Sequence, residues 1–213
     1  MGRHAAERRQ DLVSLYREAQ GCTRCPLHAT RTQVVFGSGN ADADLMLVGE
    51  APGFNEDAQG VPFVGRAGKL LEELLVDNGL RRSDVFITNV LKSRPPANRD
   101  PQPSEIDACR PYLDRQVELI EPRVICTLGN FATKLLSASP RGITQVHGEP
   151  QHREIGSREV VLYPLFHPAA ALRTPRVKEQ LAQDFARLPG LLAEGAAVPV
   201  QTASAVEQLG LLD

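Results

Sequence analysis

From Leu45 to Phe63 the chain reads LMLVGEAPGFNEDAQGVPF, an apolar run that breaks into a turn rich in glycine and proline with a carboxylate, Glu50, at the break. An apolar stretch of strand length bounded by such residues predicts a strand buried on both faces. In an open α/β sheet the residues just past a strand's carboxyl end face the crevice where ligands bind. Three more apolar runs end in the same way. Val85 to Leu91 brings Asn89, Val124 to Leu128 runs into Gly129-Asn130, and Val160 to Phe166 delivers His167-Pro168. A carboxylate, an amide and an imidazole therefore arrive at one sheet edge from three strands, which is a constellation for chemistry.

Helices are expected between these runs. Leu12, Leu15 and Tyr16 fall at helical spacing within a segment from about Ala5 to Ala19, and Ala67 to Asp77 forms a second helix closed by Gly79. A third starts at Ser104, whose hydroxyl can cap while Asp107 reaches back, and it carries Ile106, Cys109, Leu113, Val117 and Ile120 on one face. Asn130 to Leu136 and Arg176 to Leu192 complete the set. Strands alternating with helices imply right-handed crossovers and a parallel sheet covered on both faces, an α/β fold.

At 213 residues the chain suits one domain, residues 1–193, followed by a tail over 194–213 that is poor in large apolar groups. Hydrophobic residues make up 42 %, enough for a core, and no stretch approaches the roughly 20 apolar residues of a membrane span. The start, MGRHAAERRQ, leads into polar sequence and not into a signal-peptide core, so a cytoplasmic location is expected. The net charge of −2 excludes a nucleic-acid binder that works through bulk positive charge. Any DNA contact must come from a local patch, for which Lys92, Arg94, Arg99, Arg173, Arg176 and Lys178 are candidates beside the Asn89 and His167 motifs. A solvated charged face is the competing reading.

The succession GEAPG, PFVG, TNVLK and HPA, with a Cys-x-x-Cys ahead of it, strongly resembles the uracil-DNA glycosylases, in particular their iron–sulfur type, family 4. The resemblance runs from about Cys22 to about Leu188. It implies a three-layer sandwich round a four-stranded parallel sheet in the order 2-1-3-4, and an enzyme of base excision repair that hydrolyses the N-glycosidic bond of uracil in DNA. Such an enzyme must flip its base out of the stack and read the Watson–Crick edge. By the resemblance, Phe63 stacks on uracil, Asn89 matches O4 and N3–H, and His167 bonds O2. Cleavage leaves positive charge on the sugar and negative charge on the departing base, so His167 would stabilise the anion while Glu50 helps hold the sugar cation and orients water.

Other positions follow with less constraint. Gly53 and Glu56 lie in the segment that walls off C5 in related enzymes, where Glu56 either excludes the methyl of thymine or is a solvated first-turn carboxylate. At Ala51 some other glycosylase families place a water-activating Asp, so here Glu50 or electrostatics alone must suffice. The run PAAALRTPR after His167 is the expected minor-groove loop, with Leu172 as the wedge that fills the gap left by a flipped base and Arg173 gripping a phosphate. The large wedge residue of related enzymes falls nearer Ala171.

Four cysteines remain. Cys22 and Cys25 form a C-x2-C loop, and Cys109 and Cys126 follow with sixteen residues between them. One tight pair plus scattered thiols suits an iron–sulfur cluster better than a structural zinc, which usually takes two tight pairs. The resemblance implies a structural 4Fe-4S cluster held by this C-x2-C, by a cysteine in a KCRPP motif and by the position of Cys109. The chain reads KSRPP, placing Ser93 at the missing ligand. Either Ser93 or Cys126 supplies the fourth donor, or Cys126 is an ordinary buried cysteine.

Relatives that trap the product covalently do so through a histidine in the loop after the Asn motif. Residues 94–104, RPPANRDPQPS, contain none, so turnover is expected on uracil-containing single- or double-stranded DNA, by a monomer. At the end of the chain, Gln208 to Leu212 resembles the short peptide that binds bacterial sliding clamps, and a frayed terminus is the alternative.

Overall fold

The computed structural model describes residues 4–195. The 208–212 peptide and most of the expected tail lie outside them.

Helix α1 (Ala5–Gln20) leads through the cysteine loop to a two-residue strand β1 (Ser38–Gly39) and then to β2 (Leu45–Gly49). A short α2 (Phe54–Gln59) and the longer α3 (Arg66–Asp77) precede β3 (Phe86–Asn89). Next come α4 (Pro103–Ile120), β4 (Val124–Leu128), α5 (Asn130–Ser137) and the single turn α6 (Ile143–Val146). A hairpin of β5 (Gln151–Ile155) and β6 (Arg158–Leu165) follows, then α7 (Pro168–Ala171), α8 (Pro175–Phe185) and α9 (Leu188–Gly195).

The sheet has six strands in the order β1-β3-β2-β4-β6-β5. Its four central strands are mutually parallel and, taken in chain order, run 2-1-3-4, as the resemblance implies. The two edge strands pair antiparallel and are additional to the four expected. β1 is too short to show a period, and β5, QHREI, is polar except at its end.

Strand side chains alternate between two cores. Met46, Val48, Ile125 and Leu162 face a layer built by α1, α4 and α5, through Leu12, Leu113, Val117 and Leu136. Leu45, Leu47, Val124, Cys126 and Tyr163 face the layer of α3, α8 and α9, through Leu71, Leu75, Leu181 and Leu188. Each fully buried leucine contributes about 1.5–3 kcal/mol by leaving water.

Two helix boundaries differ from expectation. The cap of α4 is Gln102, reciprocated by Glu105, two residues before the Ser104–Asp107 pair. Pro103 explains the shift, because a proline is preorganised for the first helical position and lacks only an N–H that has no partner there. The helix expected over 176–192 is two helices, α8 and α9, separated at Ala186-Arg187. No helix among the described residues is long and apolar enough to cross a membrane.

Candidate active site

The carboxyl ends of β2, β3 and β6 open into a pocket of about 570 Å³. Glu50, Ala51 and Gly53 reach it from the turn after β2, Asn89 from the last residue of β3, and His167 from the turn after β6. Phe63 and Glu56 complete the wall, and Arg173 stands at its edge. The parallel register sets Gly49 beside Asn89, and the pairing continues past the strands, with Val90 N–H donating to the Gly49 carbonyl at 2.9 Å and Leu91 N–H to that of Glu50 at 3.0 Å. Asn89 is buried, so its amide is held and not free to sweep.

His167 caps the turn of α7. Its Nδ1 accepts from the Ala169 backbone N–H at 3.1 Å. An accepting Nδ1 leaves the proton of the neutral ring on Nε2, so that nitrogen is the donor. Burial pushes the imidazole pKa down to about 4, with Glu56 opposing the shift, and the ring is neutral at pH 7. The rings of His167 and Phe63 lie 5.7 Å apart and 29° from parallel.

Phe63 has a left-handed backbone, φ 52°, which is costly for a large side chain unless its surroundings impose it. Two clamps do so. Glu56 Oε1 accepts from Val64 N–H at 3.0 Å and Gly65 N–H at 3.2 Å, while the Arg82 guanidinium donates to the carbonyls of Pro62 and Phe63. Glu56 thus lines the pocket and also braces the loop that presents the aromatic face. Arg82 carries no motif signal, and only the fold brings it there.

Glu50 is half-buried, and its carboxyl pKa is raised by that burial and, secondarily, by Asp100. Asp100 belongs to the segment after β3, whose Pro95, Asn98 and Arg99 also line the pocket. Arg99 is held by a double hydrogen bond to the buried carboxylate of Glu105, at 2.9 and 2.5 Å. Arg99 belongs to the expected basic patch, whereas Pro95 and Asn98 carry no sequence signal for a place in the wall. In the segment after His167 Leu172 is 40 % exposed whereas Ala171 is 3 % exposed, so of the two only Leu172 can reach a partner.

Lys92 is a correction to the expected basic patch. It is 3 % exposed, and its Nζ donates at 2.7 Å to each of three acceptors, Thr88 Oγ1, the Asn89 carbonyl and Gln116 Oε1. Three donors meet three acceptors, which is how a buried ammonium is tolerated. Burial lowers its pKa to about 7. The side chain therefore supports Asn89 from behind and offers nothing to solvent.

On the other side of that segment, Cys22, Cys25, Ser93 and Cys109 line one narrow cleft with Arg24, Arg31 and Tyr112. Cys126 does not. It is fully buried in the opposite core layer, the consequence of strand alternation in VICTL, and burial pushes its thiol pKa up. Of the alternatives, Cys126 lies as an ordinary buried cysteine away from the other three, whereas Ser93 shares their cleft. No three His, Cys, Asp or Glu among the described residues close on a point as round a single metal ion. A cubane cluster spreads its ligands over separate irons, and the donor set suits one. The Lys92 backbone N–H donates to Cys109 Sγ at 3.4 Å, the kind of hydrogen bond that tunes cluster thiolates, and Arg31 Nη1 lies 3.2 Å from Ser93 Oγ.

A parallel α/β sheet that gathers a carboxylate, a buried amide, a neutral imidazole and an aromatic face into one strand-end pocket has the features of a base-reading hydrolase. The chain belongs to the uracil DNA glycosylase superfamily, whose model matches residues 36–187. It is 46 % identical over 183 residues to the type-4 uracil-DNA glycosylase of Archaeoglobus fulgidus, covering 84 % of this chain and 92 % of that protein. The type-4 enzymes of Sulfurisphaera tokodaii and Thermotoga maritima are 45 % and 47 % identical, over 83 % and 78 % of this chain and 83 % and 85 % of theirs.

Proposed function

We propose that the protein is a DNA repair glycosylase that flips uracil out of DNA, hydrolyses its N-glycosidic bond and leaves an abasic site. The observation that carries this reading is the convergence of Asn89, Phe63, Glu50 and a His167 whose Nε2 is the donor on one pocket. Asn89 would read O4 and N3–H, and Phe63 would stack on the ring. His167 would donate from neutral Nε2 to O2 as negative charge develops there, so the contact strengthens in the transition state. Glu50 would hold the sugar cation and orient the attacking water, with no carboxylate at Ala51 to share the task. Leu172 would enter the gap left by the flipped base, and Arg173 would take a phosphate. The 94–104 segment beside the pocket has no histidine to trap the sugar, which favours turnover.

Cys22, Cys25 and Cys109, with Ser93 as the fourth donor, would hold a 4Fe-4S cluster of structural role. It would tie the N-terminal loop to α4 and to the segment after Asn89, since hydrolysis itself transfers no electrons.

Incubation with uracil-containing single- and double-stranded oligonucleotides, followed by alkaline cleavage at abasic sites, tests the reading. Strand breaks at uracil, and their loss in Asn89→Ala by on the order of 100-fold or more, are expected. Binding without any release of uracil would overturn it.

A further inference from the structure

We propose that Phe54 and Arg94 form a stacking platform for the nucleobase next to the extruded uracil, a subsite of the single strand outside the pocket. The proposal rests on the glycosylase reading and adds a second place where the DNA is held. Phe54 is the first residue of α2 and is 66 % exposed, more than any other large apolar side chain among the described residues. An aromatic ring so exposed gives up little water-accessible surface to the core.

Its position is defined from two sides. Pro52 and Gly53, directly before it, line the pocket. The Arg94 guanidinium carbon lies over the ring, 5.3 Å from its centroid, and Arg94 Nε donates at 2.7 Å to Oδ1 of Asn98, which also lines the pocket. The ring and the cation are thus continuous with both the β2 and the β3 sides of the mouth. In the segment that follows His167, Arg173 lines the pocket and Leu172 is exposed. DNA that delivers one nucleotide into the pocket must carry its neighbours across this mouth.

An aromatic face accepts any base, so the face of Phe54 away from Arg94 can take one, and the arginine over the other face adds attraction for the backbone phosphate. The ligand class is therefore a nucleobase with its phosphate, without sequence preference. In a single strand the neighbouring base has no complementary strand to hold it, so there the platform contributes most.

The test uses the full chain and single-stranded oligonucleotides with 2-aminopurine on either side of 2′-fluoro-2′-deoxyuridine, which resists cleavage. Wild type and Phe54→Trp should quench 2-aminopurine on one side of the uracil on binding. Phe54→Ala should lose the quenching and bind about tenfold more weakly. With abasic spacers in place of both neighbours, wild type and Phe54→Ala should bind alike. Equal quenching and equal affinity in wild type and Phe54→Ala would overturn the platform. Uracil excision by the wild type, run in parallel on ordinary oligonucleotides, separates that failure from failure of the glycosylase reading, which absent excision would signal.

Discussion

Gly49 and Asn89 stand side by side at the ends of adjacent parallel strands, and the absence of a side chain on the first makes room for the amide of the second. A Cβ at Gly49 would press into Asn89 Oδ1 and come within 2.8 Å of the Phe63 ring. Gly49→Ala is therefore expected to displace both the Asn89 amide and the Phe63 ring. A displacement of about 1 Å in a positioned group can lower a rate on the order of 100-fold. Crowding of a packed site costs about 1–3 kcal/mol. Single-turnover excision and thermal denaturation of the same variant check the two effects, and a parental excision rate would show that the two groups do not work as a unit.

Burial shifts the pKa values of His167 and Glu50 in opposite directions, each away from its charged form. The imidazole pKa lies at about 4 in the folded protein against an ordinary 6.5, so between those values the unfolded chain takes up a proton that the folded chain refuses. This group therefore lowers stability as pH falls from 6.5 to 4, by on the order of 3 kcal/mol once pH is below both values. It has no such effect above 6.5. Chemical denaturation of His167→Asn should show a shallower loss of stability across that window than wild type. In its proposed role Glu50 works ionised, and burial followed by Asp100 raises its pKa, so excision should rise with pH through an inflection above the ordinary glutamate value. Asp100→Asn should move that inflection down. An unmoved inflection would remove Glu50 from the titration.

Glu56 shares the pocket with those groups, but the atoms it bonds are backbone N–H groups. Glu56→Ala leaves the Val64 and Gly65 N–H groups without their acceptor, which costs about 1–3 kcal/mol, and frees Phe63 from one of its two clamps. Excision should fall together with melting temperature. Glu56→Gln keeps an acceptor oxygen and should retain most of both. If Glu56→Gln instead keeps full stability and begins to release thymine, the residue guards C5 and the clamp is secondary.

How far the sequence predicts these arrangements depends on which force decides each one. The four parallel strands and the pocket residues at their ends are legible because apolar runs that stop at Gly and Pro report burial and turn together, and the motifs recur in a fixed order. The edge strands are not, since β1 has two residues and β5 alternates weakly. Lys92 reads as surface charge because most lysines are solvated. Only the tertiary approach of Thr88 and Gln116 makes a buried ammonium tolerable there. Arg82 shows the same limit, being about 20 residues away in sequence from the loop it clamps. For Cys126 the sequence leaves ligand and buried cysteine as alternatives, although alternation along VICTL beside the Leu47 strand already divides its side chain from those facing α4.

That division makes the cysteine question decidable by substitution. Cys126→Ala removes a fully buried thiol from the α3 layer, so it should cost about 1 kcal/mol in stability and leave iron content and visible absorbance unchanged. Cys109→Ala, on the α4 side with Cys22 and Cys25, should abolish both. Ser93→Ala should weaken iron retention if the hydroxyl is the fourth donor, as proposed from its place in that cleft. Ser93→Cys should raise iron content and resistance to oxygen, since a thiolate is the softer and stronger ligand for an iron–sulfur centre. Iron assay and absorption spectra of the four variants, purified without air, check the series. Loss of colour in Cys126→Ala with colour kept in Cys109→Ala would reverse the assignment.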